Sequence, residues 1–297
     1  METLKRTEIG SIPTSWNVRT IGDIATVQGG KRLPLGKSLT DTVTKHPYIR
    51  VTDMRPGGVS TRALKYVPND VFPTIKNYTV SVDDIFISVA GTLGIAGKIP
   101  AFLDGANLTE NADKITNISC DRDFLLHNLL SERIQKQIEA ERTVGAQPKL
   151  ALNRIEKMFV ALPPLLSEQK AISGALNDID ELIDLLQSSV YKRRDLRQAT
   201  MQQLLTGKTR LSPFSGDWRT NRIGEVLKIM HGKSQRGVED RNGAFPILAT
   251  GGQIGTANRF LYDKPSVLIG RKGTIDQPQY MDCRRERFWF AVVRFCR

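Results

Sequence analysis

In the middle of the chain Ile172, Leu176, Ile179, Ile183, Leu186 and Val190 recur at alternating steps of four and three, with mostly polar residues between them. That spacing keeps one apolar stripe on a helix and forms the seam of a coiled coil. It predicts a single helix from Ser167 to Gly207, with Ser167 as the cap, Glu168 at the positive end of the first turn, and Gly207-Lys208 as the stop. At about 1.5 Å per residue such a helix is a rod of roughly 58 Å, too long for one compact core. The first half carries Asp178, Asp180, Glu181 and Asp184; the second carries Lys192, Arg193, Arg194, Arg197 and Lys208. An antiparallel copy would meet opposite charge along its length, although each exposed pair is weak.

Ahead of the rod the pattern changes to short apolar runs broken by glycine and proline. Trp16, Ile21, Ile24 and Val27 predict a short helix or strand ending at Gly29-Gly30. Pro47 to Arg55 reads as a strand feeding the Pro56-Gly57-Gly58 break, and Asp84 to Val89 as a strand leaving through Ala90-Gly91-Thr92-Leu93-Gly94. Phe124, Leu125, Leu129, Ile134 and Ile138 predict one amphipathic helix over 124–142, followed by the turn Val144 to Pro148 and a return strand from Ile155 to Leu162. After the rod the beginning repeats. Trp218, Ile223, Gly224, Glu225, Val226, Ile229, Gly232 and Lys233 follow Trp16, Ile21, Gly22, Asp23, Ile24, Val27, Gly30 and Lys31 at a constant displacement of 202 positions (218 less 16). The reading is an α+β protein in three parts: a globular mixed α/β domain over 1–164, a long coiled-coil spacer helix over 165–210, and an incomplete second copy of the domain over 211–297. Arg284, Arg285, Glu286 and Arg287 interrupt what should be a buried strand in that copy. This predicts truncation within the second domain, with or without a frame change at its end.

Charge narrows the partner. A net charge of +12 and a pI near 9.7 favour a polyanion, either nucleic acid or an anionic membrane surface. Met1 to Ile9 has no apolar signal core, and the longest uncharged stretch, Phe86 to Gly97, is too short and glycine-rich to span a bilayer. Cys120, Cys283 and Cys296 are odd in number and lack disulfide or metal spacing, which fits a reducing cytoplasm.

Cations beside aromatics and short polar groups mark the candidate contacts with nucleic acid. Lys31 and Arg32 follow Gly29-Gly30, where two cations and open backbone can approach a phosphate, although the glycine spacing is not that of a Walker loop. The alternative is a solvated hairpin tip. Arg50, Thr52, Asp53 and Arg55 have the chemistry to read base edges, or else pair with one another at a strand end. Lys76-Asn77-Tyr78, and beside it Lys65-Tyr66, suit sugar-phosphate and base contact. Arg271 and Lys272 are their candidates in the second copy. Catalytic chemistry is sparse: His46, His127 and His231 sit in unrelated settings, and Glu110 with Asp113-Lys114 is the nearest approach to a metal-dependent nuclease motif. An Asn/Asp-Pro-Pro-Tyr/Phe methyltransferase motif is absent. The only Pro-Pro is Pro163-Pro164, preceded by Leu162.

Three stretches also carry a resemblance. Leu162-Pro163-Pro164-Leu165-Leu166-Ser167-Glu168-Gln169-Lys170, the acidic turn Asp178-Ile179-Asp180, and Met201-Gln202-Gln203-Leu204-Leu205-Thr206-Gly207-Lys208 resemble, in order, the central spacer of type I restriction-modification specificity subunits. The resemblance implies a noncatalytic subunit whose domain recognises one half of a split site in double-stranded DNA. It also implies a helix that serves as ruler and docking rod for modification and restriction subunits. S-adenosylmethionine, ATP and magnesium would belong to those partners, with no cofactor or metal in this chain. A complete member pairs two such helices, so Ile172 to Val190 would here pair with a second copy in a homodimer. The rival readings are a self-contained methyltransferase or nuclease with an unrecognised motif, and a structural coiled-coil adaptor whose basic charge is incidental.

Overall fold

A computed structural model describes residues 3–143, 148–270, 278–282, 288–290 and 293–296, which fall into two compact units, Met1–Arg194 and Asp195–Arg297. In the first unit a hairpin of β1 (Leu4–Thr7) and β2 (Gly10–Pro13) leads to β3 (Asn17–Thr20), then to a one-turn helix α1 (Ile21–Ile24) and to β4 (Thr26–Gly29). The Ile21–Val27 segment, read as helix or strand, is therefore one then the other. Thr20 explains why: its hydroxyl accepts from the Asp23 amide at 3.2 Å while the Asp23 carboxylate accepts from the Thr20 amide at 2.9 Å, a reciprocal cap. The bonds to its capping partner hold the Asp23 carboxyl below the usual carboxylate range.

The expected strand over 47–55 is also subdivided, into β5 (Pro47–Ile49), a 3₁₀ turn at Val51–Asp53 and β6 (Met54–Arg55), which pairs with β7 (Gly58–Val59). Then follow β8 (Lys65–Tyr66), α2 (Phe72–Ile75), β9 (Ile85–Ser88), β10 (Ala96–Lys98), β11 (Asn107–Leu108) and β12 (Ala112–Thr116). One sheet runs β10-β9-β12-β4 and is antiparallel throughout; a second, β11-β5-β8, has a parallel β11-β5 pair. The predicted single helix over 124–142 is two, α3 (Arg122–Leu130) and α4 (Glu132–Glu141). Ser131 divides them: it adopts extended backbone, and its hydroxyl accepts from the Ile134 amide to cap α4. After α5 (Leu152–Glu156) and β13 (Phe159–Leu162) the chain enters α6 (Leu166–Leu205), a 40-residue helix within a residue or two of the expected bounds.

The main core lies where α3, α4 and α5 cover the inner face of the β4-β12-β9 sheet, with Ile21, Ile85, Ile115, Phe124, Leu129 and Ile155 at its centre. A second core, around Phe86, Leu103 and Leu108, fills the opposite face. The second unit begins with α7 (Ile223–Val226) and β14 (Lys228–Met230), followed by β15 (Phe245–Ala249), β16 (Gly252–Ala257), β17 (Ser266–Ile269), β18 (Gln279–Met281), β19 (Trp289–Phe290) and β20 (Val293–Cys296). Its sheets are β14-β20-β17-β18 and β16-β15-β19. The parallel β15-β19 pair corresponds to β5-β11 of the first unit, so the repeat seen in sequence is a repeat of fold. No helix among the described residues is long and apolar enough to cross a membrane.

Candidate nucleic-acid interface

The Gly29-Gly30 turn is fixed from below before it presents any charge. A Cβ on Gly30 would lie 2.0 Å from the Thr109 carbonyl oxygen, so only glycine lets this backbone lie against the end of β11. The Gly30 amide donates to the Ala112 carbonyl at 3.0 Å, the Lys31 amide to Leu108 at 2.8 Å, and the buried Tyr48 hydroxyl to the Lys31 carbonyl at 2.9 Å. Burial pushes the Tyr48 phenol up to about 12, so it remains a donor throughout the neutral range. Lys31 and Arg32 are exposed above this base.

The fold brings a second candidate to the first. The Lys31 ammonium lies 5.4 Å from the centroid of the Tyr78 ring, a cation-π contact across 47 residues of sequence. Lys76 and Asn77 are exposed beside Tyr78 on a loop tied down by two residues that the sequence did not single out for this role. Asn107, fully buried, donates from Nδ2 to the carbonyls of Ile75 at 2.8 Å and Tyr78 at 3.3 Å. Lys114 donates to the Thr79 carbonyl at 2.8 Å and stands 3.7 Å from the Asp84 carboxylate. The loop is thus clamped at both ends of its exposed segment. Gln28, Gly29, Gly30, Asn77, Tyr78 and Lys114 line a cleft of about 390 Å³ between the glycine turn and this loop.

The second cluster resolves differently. Asp53 is buried, and its carboxylate accepts from the Arg50 backbone amide and from the Arg50 guanidinium at 2.9 and 2.8 Å; the guanidinium also donates to the Ala63 carbonyl. Arg50 and Asp53 therefore hold the 3₁₀ turn, which leaves Thr52 and Arg55 as the exposed members of that group. Lys65 pairs with Asp41. Arg271 and Lys272 lie outside the described residues, as do Val144 to Gln147 and Cys283 to Arg287.

The residues nearest to a nuclease motif are not assembled. Glu110 is exposed, while Asp113 is buried on the inner face of β12, opposite to Lys114, with Gly29 and Ile87 as strand partners. Burial alone raises the Asp113 carboxyl to about 6. His46 stacks on Phe72, and His127 contacts Asn177 at 3.0 Å. Among the described residues no group of three His, Cys, Asp or Glu is placed to hold a metal ion.

Within the first unit the head is bonded to the start of α6 by side chains at successive turns. The Trp16 indole donates to Glu168 at 3.1 Å, Gln169 accepts from the Asp121 amide at 2.9 Å, Ser173 donates to the Asp121 carboxylate at 2.7 Å, and Asn177 donates to Asp123 at 2.9 Å. Asp123 is also paired with Lys98 at 2.9 Å. Ile172, which spacing assigned to the partner seam, packs against the head's own core. The seam from Leu176 through Ile179, Ile183 and Leu186 to Val190 is exposed, and Leu182 and Leu185 broaden it.

These features define a class: a mixed α/β head with a basic, aromatic loop surface, bonded to a long helix whose apolar stripe is open. Residues 13–190 match the family model of the type I restriction modification DNA specificity domain, and the chain belongs to that family. It is 28% identical over 258 residues to a putative type I restriction enzyme MjaX specificity subunit of Methanocaldococcus jannaschii, covering 78% of this chain and 58% of that protein. It is 24% identical to the type I restriction enzyme MjaVIII specificity subunit of the same organism, over 71% of this chain and 50% of that one. The chain thus spans half to three-fifths of the length of these curated relatives. In fold it is similar to the type I restriction-modification S subunit from M. genitalium, with a TM-score of 0.60 at 18% identity over 95% of this chain and 72% of that chain.

Proposed function

We propose that this chain is the noncatalytic DNA-specificity subunit of a type I restriction-modification system. Its first unit reads one half of a split target, and α6 sets the separation and docks modification and restriction subunits. Methyl transfer with S-adenosylmethionine and ATP- and magnesium-dependent cleavage belong to those partners. The observation that carries this reading is the Lys31–Tyr78 contact above a clamped loop, with Arg32, Lys76 and Asn77 exposed beside it. Cations there supply phosphate affinity, whereas an aromatic ring and amide on a fixed loop can discriminate bases, each good base contact contributing about 1–3 kcal/mol. The exposed stripe Leu176 to Val190 supports pairing with a second copy, which would give a two-fold protein and a symmetric split site.

Selection from random duplexes tests the reading. The expected product is a two-part site with a spacer of fixed length, bound with an affinity that falls steeply with salt. A single undivided half-site removes the ruler from the proposal. Binding without sequence discrimination favours an adaptor, and incorporation of a labelled methyl group by the chain alone makes it an enzyme.

A further inference from the structure

Lys31 and Tyr78 are 47 residues apart in sequence, and the meeting of their side chains is arranged through β11. Leu108 bonds to both with its backbone: its carbonyl accepts from the Lys31 amide at 2.8 Å, and its amide donates to the Tyr78 carbonyl at 3.1 Å. One bond to each leaves each peptide free to swing about it. The second bond comes in both cases from a side chain one rung away, where the parallel register of β11 and β5 places Asn107 beside Tyr48. The Tyr48 hydroxyl donates to the Lys31 carbonyl at 2.9 Å, and Asn107 Nδ2 donates to the Tyr78 carbonyl at 3.3 Å and to the Ile75 carbonyl at 2.8 Å. Asn107 Oδ1 has no hydrogen-bond partner among the described residues, so the hold of this amide on the loop runs through its nitrogen alone. Aspartate, of the same shape, would turn an acceptor toward two carbonyls. Tyr48 and Asn107 are both buried, so neither can contact a duplex itself.

We propose that Tyr48 and Asn107 are positioning residues that hold Lys31 and Tyr78 at a fixed separation, and that this separation governs base discrimination rather than affinity for phosphate. The inference rests on the DNA-reading role above. Attraction of phosphates to Lys31, Arg32 and Lys76 is long-ranged and tolerates small shifts. A base contact is lost once hydrogen-bond distances and angles fail. Two side chains behind the surface would therefore change which sequence is preferred without changing any charge.

The test uses the full chain with Tyr48→Phe and with Asn107→Leu, each close to the native shape, once melting curves show that both fold. In the free chain the ring-current shift of the Lys31 ε-methylene protons reports their distance from Tyr78, and in either variant it should fall by about half. On DNA, the preference for a site recovered by selection over the same site with one base pair substituted should drop about tenfold, the share of one good base contact. Affinity for a scrambled duplex should change by less than about twofold and keep its salt slope. A folded variant with an unchanged ring shift overturns the positioning, and an unchanged preference in a variant whose ring shift has collapsed overturns its bearing on specificity. Equal losses on the selected and scrambled duplexes also overturn it, because destabilisation alone weakens both. If the native chain shows no sequence preference, the DNA-reading role fails and the specificity clause falls with it, while the ring shift still decides whether the two buried side chains set the contact.

Discussion

Two seven-residue segments of this protein, Ile21–Val27 and Ile223–Ile229, share one pattern of apolar and polar positions, once at the centre of a core and once on a surface. In the first unit Ile21, Ile24 and Val27 share a core with Phe124, Leu129 and Ile155; in the second, Ile223, Val226 and Ile229 are largely open and belong to neither of the clusters around Leu248, Leu268 and Phe288 and around Ile247 and Trp289. Both copies nevertheless fold into a one-turn helix and a strand. Local geometry here is set by the carboxylate reaching back to the capping amide, which needs only neighbouring residues, whereas burial is set by what lies across from it. A repeat can therefore preserve shape while differing in stability.

The sharpest way to break the comparison is to put a charge in each copy. Ile21→Lys should destabilise the first unit by about 4 kcal/mol or more, because the ammonium has no partner in an apolar core. Ile223→Lys should change stability by under about 0.5 kcal/mol. Denaturant unfolding of both variants checks this, and equal losses would mean that the second copy is covered as well. Next in size, Ile183→Glu with Leu186→Glu should abolish any dimer in sedimentation at micromolar concentration without lowering helicity, since both side chains are exposed.

Asp113 comes third. Its folded-state value, raised to about 6 from 3.8, means that the native carboxyl holds a proton which the unfolded chain has released. Between those values the native state binds more protons, so stability is lost as pH rises from about 4 to about 6. Asp113→Asn should remove that slope and stabilise the first unit at pH 7.5 by about 2–3 kcal/mol, measured by unfolding at pH 4, 5, 6 and 7.5. A variant with an unchanged slope would place the titrating group elsewhere. The smallest effects fall at the surface. Lys31→Ala should leave stability within about 0.5 kcal/mol, weaken duplex binding about fivefold and reduce the salt slope by about one. Tyr78→Ala should weaken binding similarly with the slope unchanged, which separates stacking from charge.

The 40-residue helix was legible because its information is local, in the stripe along it and in Gly207 just past its end, whose positive φ ends it; the expected cap is corrected, since the helix starts at Leu166 and Ser167 lies inside its first turn. The break at Ser131 was hidden by apolar spacing that runs through it, although a serine followed by Glu132 carried the capping signal. The pairing of Lys31 with Tyr78 was half legible, as two basic loops in a basic chain, but their meeting depends on sheet order. Asn107 illustrates the limit. It anchors the loop after Ile75 from 32 residues away, and nothing around it in sequence distinguishes it from any other strand asparagine. Arg50 and Asp53 were legible as a pair with two meanings, and burial of the carboxylate selects pairing with each other as the use the structure makes of them.

The bonds from Gln169, Ser173 and Asn177 into Asp121 and Asp123 fix the direction in which the helix leaves the head. From Leu166 to Arg194 that helix advances roughly 43 Å, so about five degrees of play at its root would carry Arg194 through nearly 4 Å. One base-pair step is about 3.4 Å. On the ruler role proposed above, three amide and hydroxyl side chains at the base of the shaft would decide whether the protein can tell a spacing of n base pairs from one of n + 1.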